Sequence, residues 1–224
     1  MLETTPPSYE KSATKMSTTT TLINAQLFYS DGSPYARICR MGLRERRLMT
    51  DVRETITTLR DPNAVVLTHN PTGRVPALLL GDGITLTETT LILKWLDRFG
   101  TGPELVSENP RDLAAYGRAL GLLDGIAVWN RELRRPPAER SSSVLALEAA
   151  RANRIADALD KDVSTGLYSV ADASMLALLS VLGYAQRRHT IWQWWEGRPN
   201  LEQWFTKASA RESFAQTLPP PSGI

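Results

Sequence analysis

The stretch from Asn70 to Leu96, NPTGRVPALLLGDGITLTETTLILKWL, holds two features suited to binding a small charged molecule. Val75-Pro76 opens an apolar strand, and a proline there cannot pair like its neighbours because it has no N–H. Glu88-Thr89 opens an amphipathic helix, where a carboxylate, a hydroxyl and free backbone N–H groups come together. These are the groups needed to hold a peptide that carries both an α-amino group and a carboxylate. A third feature lies upstream: Ser33-Pro34 places a hydroxyl at a helix start, with serine as N-cap and proline in the first turn.

The elements that must position these groups follow from local pattern. Gln26 to Ser30 reads as a strand, Asp31-Gly32 as a turn, and Pro34 to about Arg46 as a helix with Ile38, Met41 and Leu43 among its apolar positions. Arg37, Arg40, Arg44 and Arg47 of that helix are expected to be mostly solvated. Residues 51–70 are ambiguous, with Val65-Val66-Leu67 reading as strand or as a short helical connection. Val75–Leu80 and Ile84–Leu86 form a hairpin around Gly81-Asp82-Gly83. From Glu88 to Phe99, Leu91, Ile92, Trp95, Leu96 and Phe99 define one helical face. The first hundred residues are therefore a small α/β unit.

After Gly100-Thr101-Gly102-Pro103 the character changes. Residues 101–109 read as a linker, and 111–131, 141–163, 170–187 and 199–212 as helices, with Pro136-Pro137 breaking the first from the second. Ser169-x-x-Asp172 has the form of a capping box ahead of the apolar run from Met175 to Leu182, wide enough for a central buried helix. The expected division is a disordered leader at 1–20, an α/β domain at 21–100, the linker, and an all-helical domain at 110–224. Met16 is a second candidate start, and the lack of arginine in the first 20 residues argues against a transit peptide.

Composition narrows the function classes. A net charge of +2 is too small to imply a polyanionic partner, and the arginines of the first helix have acidic residues nearby, so nucleic-acid binding is not expected. No apolar run approaches the length of a membrane span, which is about 20 residues. Cys39 is the single cysteine, so no intrachain disulfide is possible, and a reducing, cytoplasmic setting is expected. His189 has no metal-binding companions, so no metal site is expected.

Several motifs in order resemble the cytosolic glutathione S-transferase family, over about residues 22–218. They are Ser33-Pro34-Tyr35-x-Arg37, similar to serine-type bacterial and fungal members; Asn70-Pro71-x-Gly73-Arg74-Val75-Pro76-Ala77-Leu78; and Asp82-Gly83 through Leu86-Thr87-Glu88-Thr89. Ser169-Val170-Ala171-Asp172 and the C-terminal Arg198-Pro199-Asn200-Leu201 with Trp204, Ser213-Phe214 and Thr217-x-Pro219 complete the set. The resemblance implies a thioredoxin-like N-terminal domain, an all-α C-terminal bundle, glutathione as co-substrate, a homodimer and a small hydrophobic electrophile as second substrate.

By this resemblance Ser33 would hold the glutathione thiolate, with Tyr29 as the chief rival and Ser30 a weaker one. A thiol of pKa about 8.5 needs roughly 2.7 kcal/mol of preferential anion stabilisation to fall by about 2 units. One hydrogen bond to a charged group supplies about 1.5–3 kcal/mol and a helix N-terminus about 0.3–1 kcal/mol, so one hydroxyl there is nearly sufficient. Val75 would offer its backbone N–H and C=O to the cysteinyl part, turned outward by a cis bond before Pro76. Thr89 would take the γ-glutamyl carboxylate, Glu88 its ammonium, and Arg74 the glycyl carboxylate. The electrophile would meet Tyr35 and a helix carrying Tyr116, Leu120, Asp124 and Trp129. Ser33-Pro34-Tyr35-Ala36 carries no sulfur where thioredoxin-like redox proteins have two, so dithiol exchange at this position is excluded. Conjugation, ether cleavage, dehalogenation and isomerisation all use the same thiolate. A non-catalytic binding or regulatory protein on the same fold is the alternative, and retention of Val75-Pro76 and Glu88-Thr89 argues against it.

Overall fold

The computed structural model describes Leu22 and residues 24–222; the expected leader at 1–20 lies outside the described residues. Four strands form one mixed sheet: β1 (Ala25–Tyr29), β2 (Val52–Ile56), β3 (Ala77–Leu79) and β4 (Thr85–Thr87), in the order β2-β1-β3-β4. β1 and β2 pair in parallel, with Leu27 opposite Glu54; β3 runs antiparallel to both β1 and β4, with Leu78 opposite Leu27 and Leu86. A parallel pair needs a crossover, and α1 (Pro34–Glu45) supplies it. The remaining N-terminal helices are α2 (Val66–His69) and α3 (Thr89–Leu96). This is the thioredoxin-like arrangement.

β2 lies in the segment whose sequence was ambiguous. Only Val52 of VRETI is buried, because the strand is an edge and carries charge, so no apolar alternation marks it. Residues 66–69 settle as the short helix α2. In α3 the buried residues are Thr89, Ile92, Leu93 and Leu96, whereas Leu91 is 60% exposed. The buried face is thus turned from the expected one, with Leu93 in place of Leu91.

The second half consists of α4 (Pro110–Leu133), α5 (Ser142–Ser164), α6 (Ala173–Arg188), α7 (Pro199–Ala208) and α8 (Glu212–Ala215). α6 is its core: every residue from Ala173 to Ala185 is buried. Asp172, not Ser169, caps it, its carboxylate accepting from Met175 N at 3.0 Å and from Ser174 Oγ at 2.6 Å. Ser169 is exposed and outside the helix, so the capping role falls on the fourth residue of the motif rather than the first. Trp192 and Trp194 are buried; Trp194 meets Phe205 edge-on at 5.0 Å, and Phe205 meets Phe214 at 5.6 Å, which carries the packing to the C-terminal segment.

α1 is covered on both sides, and this overturns the solvated reading of its arginines. Arg37 is buried, its Nε donating to Thr217 Oγ1 at 3.3 Å and its guanidinium lying 4.1 Å over the Phe214 ring. Burial, reinforced by Arg40 and Arg187, pushes its pKa down to about 9. Arg40 and Arg44 converge on Glu54 of β2 at 2.9 and 2.8 Å. Arg47 alone is exposed as expected. Helical periodicity separates two faces, but it cannot tell that a second layer covers the polar one.

The two halves are joined at the C-terminal end of α1. Arg46 donates to the main-chain carbonyls of Asp97, Phe99, Gly100, Gly102 and Pro103, and Asp97 accepts from Leu105 N at 2.7 Å and Val106 N at 2.8 Å. The linker passes so close to α1 that a Cβ on Gly102 would stand 1.7 Å from the Glu45 carbonyl oxygen. Gly102→Ala must therefore break the junction, and a loss of at least about 3 kcal/mol is expected in denaturant unfolding.

His189, at the end of α6, is fully buried with neither ring nitrogen hydrogen-bonded among the described residues, and its ring meets Trp129 at 4.5 Å. Burial pushes its pKa from 6.5 down to about 4. The unfolded chain therefore binds the proton first, so the native state is favoured above pH 6.5 and loses stability as pH falls towards 4. Up to about 3 kcal/mol is expected to disappear over that window. Urea unfolding at pH 7 and pH 4.5 checks this, and the pH dependence should flatten in His189→Leu.

Candidate functional site

The predicted site residues come from three chain turns at one end of the sheet and one face of α4. At the first turn Ser33 N donates to Ser30 O at 2.9 Å, and Ser33 Oγ accepts from Ala36 N at 3.1 Å. As an acceptor in the cap, the hydroxyl keeps its own proton to donate outward. Tyr29 ends β1, and its ring lies under the Arg40 guanidinium at 4.0 Å. Cys39 is buried, with Sγ 3.8 Å from the Thr89 carbonyl, and burial pushes its thiol well up, so it is a poor nucleophile.

The second turn ends in a cis Val75-Pro76 bond. Neither the backbone N–H nor the C=O of Val75 has a hydrogen-bond partner among the described residues, although the residue itself is buried. A main-chain donor and acceptor left open side by side are what an added extended peptide would pair with. Asn70, buried beneath, shapes this turn: its Oδ1 accepts from Thr72 N at 3.1 Å and Thr72 Oγ1 at 2.8 Å, and its Nδ2 donates to Arg74 O at 2.8 Å. Arg74 is exposed and makes no ion pair among the described residues. His69 stacks on Phe28 at 5.7 Å.

The third turn is Glu88, at φ 77° and ψ 130°. A non-glycine residue there costs about 1–3 kcal/mol and persists only where its surroundings hold it. Its carboxylate caps α3, accepting from Thr90 N at 3.0 Å, and remains exposed, while Thr89 is buried behind it. The start of α3 therefore presents an anionic group and open N–H groups together, the pairing needed for a zwitterion.

α4 closes the fourth side. Tyr116, Leu120 and Asp124 recur every four residues and form one stripe. The Tyr116 hydroxyl is 3.1 Å from Thr90 Oγ1, Leu120 is half-buried, and Asp124 accepts from the Tyr35 hydroxyl. Burial, then this bond to Asp124, pushes the Tyr35 pKa up, so the phenol stays neutral; Arg131 and Arg74 are close enough to oppose the shift. Trp129 lies off the stripe and packs in the bundle core on His189 and Trp192, at 4.5 and 6.5 Å. At about 100° per residue, Arg131 returns to the Leu120–Asp124 stripe.

A pocket of about 590 Å³ opens elsewhere, lined by Arg44, Glu45, Met49, Arg211, Glu212, Ser213 and Gln216. Its arginines already pair with carboxylates, Arg44 with Glu54 and Arg211 with Glu45, so it offers no free positive charge for an anionic peptide. The described residues include no cluster of three or more potential metal ligands, and none of their helices is long and apolar enough to cross a membrane.

Ser33, Val75 and Glu88 each stand at a helix or strand start where backbone groups lack partners, a signal the sequence carries. Asp124 gains its role from Tyr35, far along the chain, and Asn70 from a turn that folds back on it. Asn70→Ala would strand the Arg74 carbonyl and the Thr72 N–H, and about 2–3 kcal/mol of stability should be lost in denaturant unfolding.

A thioredoxin-like unit with an open cis-proline turn, joined to a helical bundle, defines the class. Residues 32–98 match the family model described as Glutathione S-transferase, N-terminal domain. The chain is similar to a glutathione transferase family member from Pseudomonas fluorescens Pf-5, whose crystal structure has bound glutathione. The two share 28% identity and a TM-score of 0.81, over 88% of this chain and 100% of that one. It is likewise similar to a glutathione S-transferase from Methylobacillus flagellatus KT with glutathione bound, at 28% identity and TM-score 0.80, over 89% of this chain and 100% of that one. The uncharacterized GST-like protein YibF of Escherichia coli K12 is 27% identical over 161 residues, 69% of this chain and 80% of its own length. Residues 32–98 thus match the N-terminal domain of the glutathione S-transferase family, and the chain as a whole is similar to solved glutathione transferases.

Proposed function

We propose that the protein is a glutathione transferase that binds glutathione, holds its thiolate beside Ser33 and presents it to an electrophile. The observation that carries this reading is the open main chain of Val75 at the cis-proline turn, held by buried Asn70. A buried N–H and C=O without partners cost free energy unless a ligand or water satisfies them. The cysteinyl residue of glutathione supplies the matching pair. Its γ-glutamyl end then meets the start of α3, the carboxylate on Thr89 and the ammonium on Glu88, and its glycyl carboxylate meets Arg74. The solved relatives from Pseudomonas and Methylobacillus hold glutathione, which supports the same ligand here.

In this reading the Ser33 hydroxyl, accepting from Ala36 N, donates to the thiolate. That keeps the sulfur ionised and nucleophilic near neutral pH. The electrophile, a small hydrophobic molecule, occupies the space beside Tyr35, Leu120 and Tyr116. A homodimer is part of the proposal, and exposed Val65, Ile84 and Leu91 supply apolar surface for it. So is a cytoplasmic setting, in keeping with a single buried thiol.

One observation favours a second reading, a non-catalytic glutathione-binding protein. The Tyr35–Asp124 bond spans the side from which an electrophile would approach, and a carrier or regulator need never open it.

Calorimetric titration with glutathione and conjugation of a generic aryl halide separate the two. Binding with turnover supports the enzyme, binding without turnover the second reading, and no binding at millimolar glutathione removes both. Ser33→Ala is expected to raise the apparent pKa of the bound thiol by about 1–2 units, read from thiolate absorbance against pH. Tyr29→Phe is expected to leave it unchanged, and the reverse pattern would move the thiol contact to Tyr29.

A further inference from the structure

The last turn of α6 reaches the loop that carries Ser33. A Cβ built on Gly32 would lie 3.1 Å from Arg188 Nη2 and 3.2 Å from its Cζ, so the guanidinium lies directly on that glycine. On its other side Arg188 Nη1 donates to Pro220 O at 2.8 Å. The same C-terminal segment is bound along the helix end by Arg187 Nε to Pro219 O at 2.6 Å and by Ser222 N to Arg187 O at 3.0 Å. Arg188 is thus clamped between the Asp31–Ser33 turn and the C-terminal segment.

Two facts set this arginine apart from a packing residue. Its Nε is buried with no hydrogen-bond partner, and no carboxylate stands within ion-pair distance of it among the described residues, Asp31 of the same turn included. Several other buried or half-buried arginines do have such partners: Arg40 and Arg44 share Glu54, and Arg198 meets Asp157 at 2.8 Å. A guanidinium held one residue from Ser33, with no carboxylate partner among the described residues, favours a negative charge arriving there.

We propose that Arg188 is a positioning residue for the thiolate: clamped on Gly32 by the C-terminal segment, it fixes the Ser33 turn and places a positive charge beside the sulfur site. The inference rests on the glutathione reading above. It gives the C-terminal segment a function as well, since removing the Pro220 carbonyl frees the guanidinium to leave the turn. It also bears on glycine at position 32, where a methyl group would crowd the guanidinium.

The test measures the apparent pKa of enzyme-bound glutathione in the full-length protein. Arg188→Gln removes the charge and is expected to raise that pKa by about half a unit to one unit, and Arg188→Lys should restore most of the shift. Arg188→Met removes the charge but keeps the apolar stem, and should raise the pKa similarly. It also provides the test if the glutamine variant does not fold. An unchanged pKa in Arg188→Gln or in Arg188→Met would overturn the proposal. Absence of glutathione binding by the unaltered protein would instead overturn the functional reading on which it stands.

Discussion

The packing of α1 between the sheet and α6 is the contact on which the rest depends. Ile38, Met41 and Leu43 of α1 are all fully buried. The helix meets α6, where Ser180 Oγ donates to Pro34 O at 2.7 Å, one residue from the Ser33 cap. A hydroxyl that must meet a ligand atom has to be held to a fraction of an ångström, and a helix clamped from two layers holds its first turn in that way. The same clamp explains buried Arg37. With no carboxylate beside it among the described residues, its Nε and Nη2 donate to Thr217 and to the Phe214 carbonyl and its guanidinium covers the Phe214 ring, so the C-terminal segment is tied to the N-terminal helix.

Around that clamp the site is assembled from unfinished backbone. The Ser33 cap, the Val75 turn and the Glu88 start of α3 each leave main-chain groups for something else to satisfy. Each is supported by a buried polar contact outside itself: Ser180 beneath Pro34, Asn70 beneath Arg74, and Tyr116 against Thr90. The tripeptide end of the site is therefore rigid and polar. The proposed electrophile end, beside Tyr35, Leu120 and Asp124, depends on how α1 and α4 face each other.

Local pattern carried most of the architecture. The serine cap with proline behind it, the hairpin at Asp82-Gly83 and the apolar run of α6 are all signals within a few residues, and each forms where expected. The failures share a cause. β2 is a charged edge strand, so its burial is too slight to pattern the sequence. Arg37 and Arg40 look like a solvated face because their covering layers, α8 and β2, come from elsewhere in the chain. Leu91 and Leu93 are equally apolar, and only the neighbours of α3 choose between them. Trp129 was grouped with Tyr116 and Leu120 by helix membership, but the angular step around α4 sends it into the bundle core.

The sequence by itself determined which chemical groups stand at helix and strand starts, because caps, turns and proline steps are local and cost or save free energy where they occur. It also determined the change from an α/β unit to a helical bundle, because periodicity is local too. Only the tertiary structure decided which side chains face one another: Tyr35 with Asp124, Asn70 with Arg74, Arg188 with Gly32, Arg37 with Phe214. Except for Asn70 with Arg74, these partners are separated by much of the chain, and even that pair meets only because the turn between them folds back. Such pairings depend on the distances and angles between packed elements, which no short stretch of residues encodes.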